Sequence, residues 1–171
     1  MPRPYRDVLT DLVGCCPKPR VVAEVGVHRG RTTELLLSQF PDLHLHAVDA
    51  WAPYSEATAD MQAKHKDEAM KRIARYMCRC TIYHGLSTAS ARICPPCDLV
   101  FIDAAHDEPS VYDDCRSWWN VVKPGGVLCG HDYGKGLGVD AAVQRLMKTH
   151  LKNGFELTLH DGNIWSVRKS A

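Results

Sequence analysis

An excess of charge of either sign is missing from this chain. Its 21 Lys and Arg stand against 20 Asp and Glu, a formal net charge of +1, so no global field draws it to nucleic acid or to an acidic membrane. No apolar run approaches the roughly 20 residues of a membrane span. The N-terminal Met1-Pro2-Arg3-Pro4-Tyr5 lacks the apolar stretch of a signal peptide. Cytoplasmic residence is the resulting expectation. Internal repeats, low-complexity tracts and composition breaks are also absent, and the 171 residues are expected to form a single domain, 1–171, with a good-sized core. That expectation leaves open whether the domain belongs to a longer polypeptide.

Two phosphate-binding signatures are missing as well. The dinucleotide fingerprint G-x-G-x-x-G needs a glycine where the backbone meets a pyrophosphate. Here His28 stands at that place between Gly26 and Gly30. No G-x-x-x-x-G-K-[ST] loop occurs either. What is present is a strand (Val21 to Val25), a glycine turn (Gly26-Val-His-Arg-Gly30), a helix from Arg31, and a second strand from Leu43 closed by Asp49. A glycine turn between strand and helix lets a ligand approach the backbone, and an acid roughly 20 residues on suits the two hydroxyls of a ribose. The unit predicts a nucleoside site without a phosphate; by itself the turn is equally read as a plain tight turn.

Further along, Tyr5 to Val13 has helical spacing. Ser55 is placed to cap a long helix reaching about Met77, and Thr81 to His84 reads as a third strand. Asp98 to Asp103 is an apolar run of the kind buried on both faces of a sheet. A helix over Val111 to Val122, a turn at Lys123-Pro-Gly-Gly126, a strand over Val127 to Gly130 and a helix over Val139 to His150 follow. Phe155 to His160 and Asn163 to Arg168 read as a hairpin joined through Asp161-Gly162.

Glu24-x-Gly26-x-x-x-Gly30 resembles the first motif of class I S-adenosylmethionine (SAM) methyltransferases. Phe101-Ile-Asp103-x-x-His106, Lys123-Pro-Gly-Gly126 and Gly130-His-Asp-Tyr133 narrow the likeness, over nearly the whole chain, to small members related to sugar O-methyltransferases. The resemblance implies an α/β, Rossmann-like sheet, mostly parallel, with an antiparallel C-terminal hairpin strand and helices on both faces. It implies SAM as cofactor, with Glu24, Gly26 and Gly30 beside the methionine moiety, Asp49 on the ribose, and Gly85, Leu86 and Ser87 along the adenine. Trp51 either stacks on the adenine or ribose or is a buried aromatic. The acceptor implied is a small-molecule hydroxyl, of a sugar or glycan. The alternatives are a non-catalytic SAM-fold scaffold and an RNA methyltransferase using the basic helix from Lys64 to Arg79. With few residues beyond the core, the pocket is expected to be completed by a second copy or an adjoining domain.

In this sheet order Asp103 and Asp132 end neighbouring strands, so their carboxylates can come within about 5 Å of each other. Acids that close share a proton or a cation. Mg²⁺ or Mn²⁺ at Asp103, Asp132 and His131 would resolve the repulsion; a helix cap or a cofactor contact is the plainer role for either acid. His106 is the first candidate base for a hydroxyl proton and His131 the second. Against them stand a loop histidine bonded to backbone and a structural donor. Of the eight cysteines, Cys78, Cys80, Cys94 and Cys97 have superficial zinc spacing. Two strands would separate Cys80 from Cys97, roughly 14 Å and too far for a shared ion, so buried thiols are expected.

Overall fold

The structure, a computed structural model, describes residues 3–54, 57–152 and 154–171. A seven-stranded sheet runs β3-β2-β1-β4-β5-β7-β6. Its strands are β1 (Arg20–Val25), β2 (Leu43–Asp49), β3 (Cys80–His84), β4 (Cys97–Ile102), β5 (Val122–Gly130), β6 (Leu157–Leu159) and β7 (Trp165–Arg168). The first five pair in parallel, and β7 enters antiparallel between β5 and β6. This is the expected Rossmann-like methyltransferase sheet with its reversed C-terminal strand.

Alternation along the central strands divides the core. Val22, Leu45, Leu99 and Phe101 pack with α1 (Tyr5–Gly14), α2 (Arg31–Gln39) and α3 (Ala59–Ile73). Val25, Val48, Val100 and Ile102 pack on the other face with α5 (Glu108–Trp119) and α6 (Val139–Arg145). All six residues of β4 are buried: Leu99 to Ile102 are apolar under helices on both faces, and Asp98 is paired with the Lys123 ammonium at 2.8 Å. A short α4 (Ser87–Ala91) follows β3.

Several boundaries differ from expectation. Ser55 lies outside the described residues; α3 is capped by Thr58, whose side chain accepts from the Met61 N–H at 3.3 Å. That helix stops at Ile73 and continues as 3-10 turns to Arg79. There the Arg79 guanidinium donates to the Leu37, Phe40 and Leu43 carbonyls at 2.8–3.0 Å, satisfying acceptors around the end of α2. Lys123 to Gly126 form a bulge inside β5 rather than a turn before it, between the pairs Cys97–Val122 and Leu99–Val127. The hairpin turn is wider than two residues, since Leu159 pairs with Trp165. Gly162 rests on α1, where a Cβ would come within 2.6 Å of the Tyr5 backbone, so docking on the body of the protein sets the turn.

Candidate active site

Strand order reverses between β1 and β4, which opens a crevice at the carboxyl ends of the sheet. At its floor the Gly26 N–H donates to Val48 (2.9 Å) and the Asp103 N–H to Val25 (2.8 Å). Gly26 has φ +98°, and a Cβ there would collide with the Asp103 carbonyl. The glycine is therefore demanded by the protein's own backbone before any ligand arrives. Gly30, at φ +72°, begins α2 against Ala69.

Asp49 organises the rim. Its carboxylate accepts from the His28 N–H and the Trp51 N–H, both at 2.7 Å, while the Trp51 indole donates to the His28 carbonyl at 2.8 Å. Each carboxylate oxygen keeps a lone pair for a further donor. Trp51 is buried in this clasp. The Gly85 N–H donates to the Asp49 carbonyl at 3.1 Å, which seats 85–87 beside the rim. Leu86 is 69% exposed there. The Ser87 hydroxyl faces away, accepting from the Trp118 indole at 2.8 Å. Glu24 lies beneath the turn, 1% exposed, and accepts from the Thr33 hydroxyl at 2.5 Å. Burial pushes its carboxyl up to about 8; the Thr33 bond opposes this, and the charges of Asp103 and Asp49 add to it.

Beyond β4 and β5 the structure gathers a charged cluster. Asp103, His131 and Asp132 offer ligand atoms within 4.8 Å of one another. His131 Nδ1 lies 3.0 Å from Asp132 Oδ1 and 3.5 Å from Asp103 Oδ1, so the imidazole stands between the two acids. The Tyr5 ring packs on that imidazole at 4.3 Å. His106 Nε2 lies 2.7 Å from Asp132 Oδ2, with its side chain 45% exposed. Lys135 Nζ completes the group 2.8 Å from Asp132 Oδ1. Burial alone would raise the Asp132 carboxyl. The Lys135 ammonium, with His131 and His106 behind it, outweighs that and holds it below the usual range.

A family model described as a methyltransferase domain matches residues 23–133, from the middle of β1 to just past Asp132. The chain belongs to that family. It is a SAM-dependent methyltransferase. No curated protein matches the chain in sequence, but solved structures match its fold. The O-methyltransferase NovP superposes with a TM-score of 0.74 at 15% identity, over 98% of this chain and 80% of that one. TomG from Streptomyces achromogenes, an O-methyltransferase of tomaymycin synthesis solved with SAM, gives 0.70 at 15%, over 98% and 80%. Precorrin 8W decarboxylase from Methanobacterium thermoautotrophicum gives 0.66 at 14%, over 98% and 89%. At these identities the likeness is one of fold, and the fold serves more than one reaction.

The crevice of this methyltransferase fits SAM in its chemistry. Asp49 has acceptor capacity for a ribose diol, and Leu86 offers an exposed apolar side chain. The acid cluster fits a divalent ion less well. Two carboxylates and an imidazole are a reasonable donor set for Mn²⁺. However, Asp132 Oδ1 already receives Lys135 and His131, and Oδ2 receives His106. An ion could take Asp132 only by displacing one of them.

Sequence reading missed Lys135. It sits in the glycine-rich loop Tyr133-Gly-Lys-Gly136. The available signal was a cation three residues past a strand-end acid. The basic stretch of 64–79 proves largely committed elsewhere: Arg72 and Arg75 bond Glu34 at 3.0 and 2.9 Å, and Arg79 holds carbonyls.

Proposed function

We propose that this methyltransferase moves the methyl group of SAM to a hydroxyl oxygen of a small polyhydroxylated acceptor, a sugar or glycan unit. The observation that carries the reading is the His106–Asp132 pair at 2.7 Å. With Nε2 this close to the carboxylate, Asp132 favours the Nε2–H tautomer, which leaves the lone pair of the half-exposed ring on Nδ1 for an incoming hydroxyl. His106 Nδ1 takes the hydroxyl proton as the oxygen bonds to the methyl carbon, and Asp132 stabilises the imidazolium that results. SAM supplies a methyl carbon made electrophilic by its sulfonium, and the sulfur keeps the electron pair of the broken bond. Asp103, His131 and Lys135 surround that point with acceptors and donors. Such a lining suits several hydroxyls on one molecule better than the flat apolar face of a phenol.

Asp49 holds the ribose through the lone pairs left by its two backbone partners, and Gly26 and Gly30 shape the wall beside the methionine moiety. The N-terminal α1 and the C-terminal hairpin lie outside the family match, and they belong to the same working unit. Lys135 supplies the positive charge that neighbouring acids require, so the reaction proceeds without a divalent ion. A second reading has Mg²⁺ or Mn²⁺ displace Lys135; it is favoured by the three donors within 4.8 Å of one another. RNA as acceptor is disfavoured by the near-zero net charge and the arginines engaged on Glu34.

Isothermal titration tests the cofactor. S-adenosylhomocysteine should bind, and Asp49→Ala should weaken it strongly. Preferential binding of NAD would overturn the reading.

A further inference from the structure

We infer that His46, Cys94 and Cys97 form a second site, for a thiophilic divalent cation of the zinc type. The ligand atoms of these three residues all lie within 4.8 Å of one another. The site is separate from the catalytic crevice: Cys97 opens β4 and Asp103 follows its end, six residues away and so roughly 20 Å along the strand. It does not rest on the proposed acceptor.

The geometry separates this cluster from a disulfide and brings a third ligand to the two sulfurs. Cys94 Sγ and Cys97 Sγ are 4.0 Å apart. A disulfide needs about 2.05 Å, whereas two thiolates on one tetrahedral zinc, each at about 2.3 Å, stand about 3.8 Å apart. The sulfurs are thus near the separation a shared ion sets. His46 approaches from β2 because of what lies between. In the parallel ladder Ala23 of β1 is the direct neighbour of His46, and its single methyl leaves the imidazole space to reach over the sheet. His46 and Cys97 are buried and Cys94 is half-buried, so an ion would enter past Cys94. The Tyr83 hydroxyl, 3.4 Å from His46 Nδ1, or a water is available for a fourth position. Two thiolates and a neutral imidazole select zinc-like ions over Mg²⁺ or Ca²⁺. Binding would tie the loop after α4 to the centre of the sheet, and the ion's binding free energy would add to folding stability.

The zinc spacing expected to fail, between the pairs Cys78/Cys80 and Cys94/Cys97, does fail: Cys78 is exposed, and Cys80 packs in the core on the opposite face of the sheet. The missing ligand is a histidine two strands before the C-x-x-C pair, on β2, not another cysteine.

The test uses the full chain isolated under reducing conditions without chelator. Elemental analysis should find one zinc per chain. Replacement by Co²⁺ should give the intense near-ultraviolet thiolate-to-cobalt absorption that oxygen and nitrogen ligands alone do not produce. Cys94→Ser and His46→Gln should each weaken zinc, measured by competition with a chromophoric chelator, by more than the 10–100-fold typical of losing an outer-shell partner. Asp132→Asn should leave the zinc in place. Absence of both zinc and the cobalt band from the unmutated protein would overturn the inference, whatever the variants do. So would unchanged affinity in both variants, loss of the zinc in Asp132→Asn, or a mass two daltons low with Cys94 and Cys97 joined as a disulfide.

Discussion

Lys135 Nζ stands 2.8 Å from Asp132 Oδ1, on a short glycine-flanked loop, and so brings a cation of the protein's own to a pair of acids ending neighbouring strands. Asp132 is 8% exposed and at φ +64°, a strained backbone that aims its carboxylate back under the loop. The two residues answer the repulsion between strand-end acids without an added ion. Lys135→Met should therefore lower turnover by about 10-fold or more, since a charge-assisted hydrogen bond of about 1.5–3 kcal/mol is lost. The variant should become stimulated by Mn²⁺, while the unmutated enzyme keeps its activity in EDTA. If the unmutated enzyme loses activity in EDTA and recovers it with Mg²⁺ or Mn²⁺, the metal reading takes over; Asp132→Ala should then abolish the rescue.

His106→Ala should depress kcat by about 10²–10⁴-fold, the usual worth of a positioned base, with S-adenosylhomocysteine affinity nearly unchanged. Asp132→Asn should also lower kcat, because the amide no longer holds the same imidazole tautomer. Unchanged turnover in His106→Ala would shift the proton to His131 or leave proximity alone to account for the rate.

Glu24 gives a pH signature of stability. Its carboxyl has an ordinary value of 4.5 and is raised to about 8 by burial in the folded protein. Between those values the unfolded chain has released the proton and the folded chain retains it, so this group makes stability fall as pH rises across that window. Asp132, held low, acts oppositely and at lower pH: its contribution is present above its unfolded value and lost as pH falls through its folded one. Denaturant midpoints from pH 5 to 8 should decline in the unmutated protein and flatten in Glu24→Gln. An equal decline in the variant would contradict the buried neutral carboxyl.

Gly26→Ala should destabilise the fold by about 2–4 kcal/mol, combining a positive-φ penalty with a clash against backbone. Gly85→Ala is the comparison, since nothing lies within 4 Å of its added methyl and its backbone is unstrained. Chemical denaturation of the two should differ clearly; equal midpoints would mean that Asp103 yields to the methyl.

How far the sequence foretells this arrangement depends on the range of the interaction. The turn from Gly26 to Gly30, the acid Asp49 and the buried run of β4 are local patterns, legible in one strand or one turn. Adjacency of Asp103 and Asp132 followed once a sheet order was supplied by family likeness. Lys135 escaped notice because its partner, Asp132, is itself a left-handed residue, which no periodicity reports. Glu24 reads as a ligand-facing acid until α2 folds over it and Thr33 occupies its carboxyl. His46 meets Cys94 and Cys97 only because Ala23 is small, a packing fact three elements removed from any motif.

The central claim is methyl transfer to oxygen, and labelled SAM offered with a panel of sugars and phenols tests it most directly. The account predicts labelled product from a hydroxylated sugar, with the new methyl on oxygen by nuclear magnetic resonance and loss of product in His106→Ala. Methyl groups appearing on nitrogen or carbon, transfer confined to RNA, or bound S-adenosylhomocysteine without transfer to any acceptor would contradict it.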